Sequence, residues 1–128
     1  MSDPFGGQVP ARRVDKPWGS EIWFVVTERY AGKILHIEGG EELSLQYHQR
    51  KDEAVWVLSG ELELELEAGD GKLESHRLGP GEGRRIPPGR RHRMRALSTV
   101  EICEVSTPDL DDVVRLEDRY GRAGTSEG

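Results

Sequence analysis

Glu61-Leu62-Glu63-Leu64-Glu65-Leu66-Glu67 is the stretch that decides the fold. Four glutamates alternate with three leucines, a strict period of two that turns every leucine to one face and every glutamate to the other. An acidic tail has no reason to alternate, so the run is a strand with one wet face and one buried face. Ala68-Gly69-Asp70-Gly71 then supplies a hairpin turn, and Lys72 to Leu78 returns as the partner strand.

Outward from this hairpin the same pattern repeats. Ile22 to Val26, Lys33 to Glu38, Ser44 to His48 and Ala54 to Leu58 precede it, and Arg84 to Ile86, His92 to Leu97 and Val100 to Val105 follow. Glycine and proline stand between the runs, as at Gly39-Gly40, Ser59-Gly60, Gly79-Pro80-Gly81 and Pro87-Pro88-Gly89. Short strands at near-regular spacing indicate an all-β sandwich or barrel, and a jelly roll would close the edges they expose. Asp109, Asp111 and Asp112 at the front of Pro108 to Leu116 suit a helix start, but the apolar positions there do not decide between helix and coil. Residues 1–13 are expected to form a flexible N-terminal arm, 14–122 the folded domain, and 123–128 a disordered tail.

The bulk numbers bound the function. A chain of 128 residues makes one domain with one core. No stretch approaches the ~20 apolar residues of a membrane span, and Met1-Ser2-Asp3-Pro4 does not open a signal peptide. Cys103 is the lone cysteine, which excludes an internal disulfide and suits a reducing cytoplasm, with the thiol expected buried and inert. A net charge of −6 argues against general binding to nucleic acid or a membrane surface.

The candidate chemistry lies between Gly40 and His92. Gln46 and His48 share one strand face, and Glu53 heads the next apolar run after the polar Gln49-Arg50-Lys51-Asp52 turn, so a return strand brings its carboxylate back toward His48. His92 opens a later strand, with Met94 and Ala96 on its face. A lone histidine on an apolar strand is commonly a hydrogen-bonded structural residue. Two separate clusters with turn residues at the needed places point instead to one metal site on Gln46, His48, Glu53 and His92. Two imidazoles and one carboxylate suit non-haem iron, and an added amide oxygen suits zinc, manganese or nickel, with cobalt alongside; spacing does not choose among them. Arg93 and Arg95 should face away from the metal and pair with the Glu61–Glu67 ladder across a sheet. Arg50, Lys51 and Arg90 fall in turns at the barrel mouth, suited to an anionic small molecule.

The two clusters match both motifs of the cupin superfamily, with Gln46 where many members have histidine. Lys16-Pro17-Trp18-Gly19, Leu43-Ser44-Leu45-Gln46-Tyr47-His48, Val57-Leu58-Ser59-Gly60, Ile86-Pro87-Pro88-Gly89, Arg91-His92-Arg93 and the C-terminal Asp111 to Arg122 resemble the isomerase domain of type II phosphomannose isomerases. The resemblance covers about residues 14–122. It departs at Gln49-Arg50-Lys51, where the family commonly has His-His-Arg, and at Ala96, where it has asparagine. It implies a double-stranded β-helix (jelly-roll) cupin barrel, a homodimer, and one divalent metal ion on Gln46, His48, Glu53 and His92. It further implies exchange of mannose 6-phosphate and fructose 6-phosphate, with Arg50, Lys51, Arg90 and Arg122 holding the phosphate. Relatives often carry a nucleotidyltransferase domain ahead of the cupin, for which this chain is expected to have no room. His36 and Lys51 are candidates for the proton-transferring base, and no residue is singled out as catalytic. A metal-dependent oxygenase and a non-catalytic sugar- or anion-binding module are the alternatives.

Overall fold

A computed structural model describes residues 11–126. Twelve strands run in chain order among them: β1 (Arg12–Lys16), β2 (Gly19–Val26), β3 (Ala31–Ile37), β4 (Leu45–Tyr47), β5 (Glu53–Ser59), β6 (Leu62–Glu67), β7 (Leu73–Leu78), β8 (Gly83–Ile86), β9 (His92–Ala96), β10 (Val100–Ser106), β11 (Val113–Glu117) and β12 (Gly124–Ser126). They form two six-stranded antiparallel sheets, ordered β1-β2-β3-β10-β5-β8 and β12-β11-β4-β9-β6-β7. The fold is an all-β jelly-roll barrel, and among the described residues no helix is long and apolar enough to cross a membrane.

Alternation explains how the sheets close on each other. Leu62, Leu64 and Leu66 of β6 are buried, and the glutamates between them face outward. There Glu65 pairs with Arg93 at 2.9 Å and Glu63 with Arg95 at 2.8 Å, the cross-strand ladder expected from the parity of the two strands. The leucines pack with Leu35, Ile37, Val57, Ile102, Met94 and Trp18 into one apolar cluster. That cluster fills one end of the barrel. At the other end the same inward parity delivers Lys33 from β3, Glu104 from β10, Glu53 from β5, His92 from β9 and Arg115 from β11, all buried.

Three strands lie outside the runs of the sequence pattern. β1 begins at Arg12, within the segment expected as an arm, because Arg12 to Lys16 pairs in register with Gly19 to Trp23. Its residues Arg-Arg-Val-Asp-Lys carry no apolar alternation, so backbone pairing alone marks the strand. Pro108 to Leu116 is neither a helix nor wholly coil, since a turn through Asp112 leads into β11, whose Val114 and Arg115 pair with Tyr47 and Gln46. β12 pairs with β11 inside the segment expected as a tail. The rest of the arm and tail expectations, residues 1–10 and 127–128, lies outside the described residues. Cys103 sits on the outer face of β10 and is half-buried rather than enclosed, and burial pushes its thiol pKa up.

Candidate metal centre

β4 delivers Gln46 opposite His92 of β9, the one register pair between those strands. His48 follows β4 directly, and Glu53 is the first residue of β5. Residues 49–52 between them must therefore turn tightly. The Asp112 carboxylate organises that turn by accepting the backbone N–H groups of Gln49 (3.0 Å), Arg50 and Lys51 (2.8 Å). The Gly89 N–H donates to the His48 carbonyl at 2.7 Å, which ties the Pro87-Pro88-Gly89 turn, and His92 beyond it, to the same place.

His48, Glu53 and His92 converge, each with 3% or less of its surface exposed. Glu53 Oε1 lies 3.0 Å from His48 Nε2 and 3.4 Å from His92 Nε2. The Nδ1 atoms are already committed, that of His48 to the Asp112 carbonyl and that of His92 to the Arg90 carbonyl at 2.9 Å. In neutral rings those bonds put the proton on Nδ1 and turn the Nε2 lone pair toward the carboxylate oxygen. Three acceptors then face one another in a buried space, an arrangement that a shared cation relieves. Ligand bonds of about 2.0–2.2 Å leave neighbouring donors about 3.0–3.5 Å apart, which is the spacing found. The second carboxylate oxygen, Oε2, has no hydrogen-bond partner and only an ion pair with Lys51 at 3.3 Å. The residues present thus fit a divalent cation.

Gln46 joins the group on different terms. Its amide nitrogen lies 3.4 Å from His92 Nε2, and its oxygen accepts from the Ser44 hydroxyl at 2.7 Å. Ligation through oxygen would need the amide turned over.

Lys51 lies behind the centre. Its ammonium reaches Glu104 Oε2 at 3.0 Å as well as Glu53. Burial works against this charge, yet Glu104 and Glu53 outweigh it and push the lysine pKa up. Burial and the neighbouring Glu53 raise the Glu104 carboxyl, against the pull of Lys51 and Lys33, to about 7. Glu53 is likewise opposed by burial, but Lys51, His48 and His92 hold it well below the usual carboxylate range.

A cavity with about 500 Å³ of empty space, part of it open to solvent, adjoins the centre. Gln46, His48, Lys51 and Glu104 belong to its wall, while Glu53 and His92, in contact with His48, do not line it. Lys16, Lys33, Arg115 and Arg122 complete its polar lining with Glu21. The residues expected to bind an anion therefore separate. Arg122 lines the cavity, and so does Lys51, though buried on two carboxylates instead of exposed at a mouth. Arg50 is exposed beside Asp109 at 3.6 Å, and Arg90 spends its guanidinium on the carbonyls of Glu67 and Arg85; neither lines the cavity. His36, on the outer face of β3 between Glu101 (2.6 Å) and Glu38 (3.0 Å), is remote from the centre and cannot serve it as a base.

Sequence reasoning missed Lys16, Lys33, Glu104 and Arg115. Parity carries a signal for two of them. Glu104 keeps the inward parity of Val100 and Ile102, and Lys33 that of Leu35 and Ile37.

Residues 33–106 match the family described as Cupin domain. The mannose-1-phosphate guanylyltransferase ManC of Salmonella typhimurium is 36% identical over 116 residues, 87% of this chain and 23% of that protein. The mannose-1-phosphate guanylyltransferase of Escherichia coli is 35% identical over 116 residues with the same coverage. This chain spans about a quarter of the length of these curated relatives. Among solved structures, KdgF from Halomonas sp. superposes with a TM-score of 0.68 at 23% identity, covering 76% of this chain and 87% of that one. Oxalate decarboxylase from Bacillus subtilis superposes with a TM-score of 0.71 at 19% identity, covering 84% and 30%. At these identities the two structures speak to the fold alone.

Proposed function

The chain belongs to the cupin domain family, and on that premise we propose that it is a divalent-cation-dependent isomerase of sugar phosphates, exchanging aldose and ketose forms of the mannose 6-phosphate/fructose 6-phosphate type. One observation carries the reading: a buried His48–Glu53–His92 donor set adjoins a cavity whose wall is rich in cationic side chains. The first feature suits polarisation of neighbouring sugar oxygens, and the second suits an anionic substrate. The relatives named above are guanylyltransferases of mannose 1-phosphate, and only about a quarter of their length is matched. The sugar-phosphate class, rather than guanylyl transfer, is what this chain is read to share with them.

A divalent cation held by His48, Glu53 and His92 supplies Lewis acidity where negative charge develops on a carbonyl and its neighbouring hydroxyl. The chain's own residues do the rest. The Nδ1 bonds to the Asp112 and Arg90 carbonyls hold both imidazoles in one tautomer and orientation. Lys51, kept protonated by Glu53 and Glu104, places a fixed positive charge behind the donor set. The cationic wall anchors the remote phosphate, so that binding energy from a non-reacting group orients the reacting carbons. Leu35, Leu43 and Trp18 limit water on the apolar side of the cavity.

The test is purification with native metal, followed by anaerobic turnover of a panel of hexose phosphates monitored for aldose–ketose exchange. His48→Ala and His92→Ala are each expected to lose bound metal and turnover together. Full metal occupancy in either variant refutes the ligand assignment. Turnover that requires dioxygen replaces the isomerase with an oxygenase, since the same donor set serves both.

A further inference from the structure

We propose that Asp118 is a positioning residue: it holds the guanidinium of Arg122 in a fixed orientation on the cavity wall, aimed for phosphate oxygens of the substrate. The inference rests on the sugar-phosphate reading and deepens it by naming the residue that aims one of the wall's arginines. Both residues belong to the turn between β11 and β12, Asp118-Arg119-Tyr120-Gly121-Arg122. Gly121 has φ +77°, a left-handed backbone that brings the chain back over Asp118. The Gly121 N–H donates to the Asp118 carbonyl at 3.3 Å, and the Arg122 N–H donates to the Asp118 carboxylate at 2.6 Å. These backbone bonds close the turn without help from the arginine side chain.

The side chain is held all the same. Asp118 Oδ2 and Oδ1 accept from Nε and Nη2 of Arg122 at 3.0 Å each, the bidentate geometry of a guanidinium on a carboxylate. The Asp118 side chain is 0% exposed and that of Arg122 24%, so the pair is not of the solvated kind that contributes little. Burial works against the Asp118 charge, but the side-chain and backbone bonds from Arg122 hold its pKa below the ordinary value. The Arg122 guanidinium carbon also stands over the Tyr120 ring, 5.6 Å from its centre. Tyr120 in turn packs on the apolar cluster and donates its hydroxyl to Glu41. One edge and one face of the guanidinium are thus fixed. The other edge, Nη1 with the second hydrogen of Nη2, has no hydrogen-bond partner among the described residues, and Arg122 lines the cavity. Two parallel N–H donors on a rigid edge suit two oxygens of one phosphate. Asp118 already matches the arginine's charge, so the pair offers direction and not surplus charge. Arg119 in the same turn shows the contrast. It reaches the Gly40 carbonyl at 2.9 Å, Glu41 at 3.5 Å and Glu42 at 3.4 Å, and does not line the cavity.

The experiment is calorimetric titration of the metal-loaded full chain with mannitol 6-phosphate, which has no carbonyl to turn over, with thermal melts of every variant. Arg122→Gln is expected to raise Kd about tenfold, the scale of one charge-assisted contact. Asp118→Asn is expected to raise it about threefold to tenfold, the cost of immobilising one long side chain on binding. The sign decides between two roles, because removing a carboxylate near an anion tightens binding by charge alone. In the double variant Asp118→Asn should add less than about twofold to the Arg122→Gln effect, since it acts through that arginine. Arg122→Lys keeps the charge and loses the fork, and should stay at least about fivefold weaker than wild type. It carries the test if Asp118→Asn fails to fold. Arg119→Gln should change Kd less than about twofold. Four results overturn the assignment: no binding by the wild type at millimolar concentration, binding by Asp118→Asn as tight as wild type or tighter, full additivity in the double variant, or Arg122→Lys within about twofold of wild type. The isomerase reading fails separately. If mannitol 6-phosphate binding follows the expected pattern but no hexose phosphate turns over, Asp118 keeps its role without that reading. If turnover occurs with KM unmoved by Asp118→Asn and Arg122→Gln, the reading stands and the positioning role falls.

Discussion

Replacing Lys51 with methionine tests whether its ammonium joins two buried carboxylates into one unit. Lys51, Glu53 and Glu104 are 5%, 3% and 6% exposed, and the ammonium lies 3.3 Å and 3.0 Å from the two carboxylates. Methionine fills much the same volume, so packing changes little and the missing charge dominates. Breaking a buried ion pair by removing one partner costs about 3–5 kcal/mol, because the remaining charge is stranded. Here Glu104, already raised to about 7, takes up a proton once the ammonium is gone, so Glu53 is the stranded charge. The protonation of Glu104 adds a further cost that places the loss in the upper part of that range. For a domain of this size the loss corresponds to a fall in Tm of about 10–15 °C. Replacing Glu104 with glutamine in the Lys51→Met background removes the carboxyl that must take up a proton on folding and keeps a hydrogen-bonding group of similar shape. The double variant should recover about 2 kcal/mol relative to Lys51→Met, although Glu104→Gln alone destabilises the wild type by leaving Lys51 with a single partner. Urea unfolding of the four proteins in chelator completes the cycle. A divalent cation added back should shrink the Lys51→Met deficit, since Glu53 then faces a positive charge again. A coupling energy below about 0.5 kcal/mol would refute the reasoning, because independent sites add to within that margin.

Two further predictions concern the frame around the centre. Gly60 has φ +80°, and a Cβ there would overlap the Thr99 carbonyl oxygen and stand 2.8 Å from Val100 Cα, so Gly60→Ala should cost about 3 kcal/mol or more in urea unfolding. A loss under about 1 kcal/mol would mean that the β5–β6 turn is free to move. Asp112 is opposed by burial, but the backbone N–H groups of Gln49, Arg50 and Lys51 lower its pKa below the ordinary 3.8. A carboxyl depressed on folding adds stability that is present above its unfolded value and is lost as pH falls through the folded one. Asp112→Asn should therefore cost about 2 kcal/mol at neutral pH and flatten the acid limb of the stability curve below about pH 4. It should also weaken metal binding about tenfold, through the loosened 49–51 turn and His48. An unchanged acid limb and an unchanged metal affinity, measured by chelator competition, would detach Asp112 from both roles.

Much of the frame was legible because strand parity is a local property. The Glu61–Glu67 alternation fixes which face of β6 is wet, and parity sets Arg93 and Arg95 toward that ladder, while the β6–β9 register decides that they meet Glu65 and Glu63. The convergence of His48, Glu53 and His92 was legible for a related reason: His48 keeps the parity of Gln46, which faces His92, and Glu53 and His92 each open a strand after a marked turn. What stayed hidden depends on pairing between distant segments. β1 is a hydrophilic edge strand that exists through its bonds to β2. Asp109, Asp111 and Asp112 resemble a helix start, yet the Asp112 side chain caps a turn some sixty residues earlier in the chain. The anion-binding expectation named Arg50, Lys51, Arg90 and Arg122; Lys51 and Arg122 line the cavity, whereas Arg50 and Arg90 do not, and its other cations come from β1, β3 and β11.

The placement of these charges bears on why the barrel has two unlike ends. Leucine, isoleucine, valine or methionine at the inward positions held by Lys33, Lys51, Glu104 and Arg115 would extend the apolar cluster, and buried ion pairs seldom outperform well-packed apolar residues of similar volume. Stability therefore does not account for the polar end. Its groups violate the inward-apolar pattern together, on β3, β5, β9, β10 and β11, where they line one cavity or belong to the donor set that adjoins it. A local rule broken on five strands at one depth, and obeyed on the same strands a few residues away, marks a surface shaped for a ligand. The apolar end then acts as the rigid support, because Leu35, Val55, Ile102 and Met94 are fully packed on the very strands that present Lys33, Glu53, Glu104 and His92.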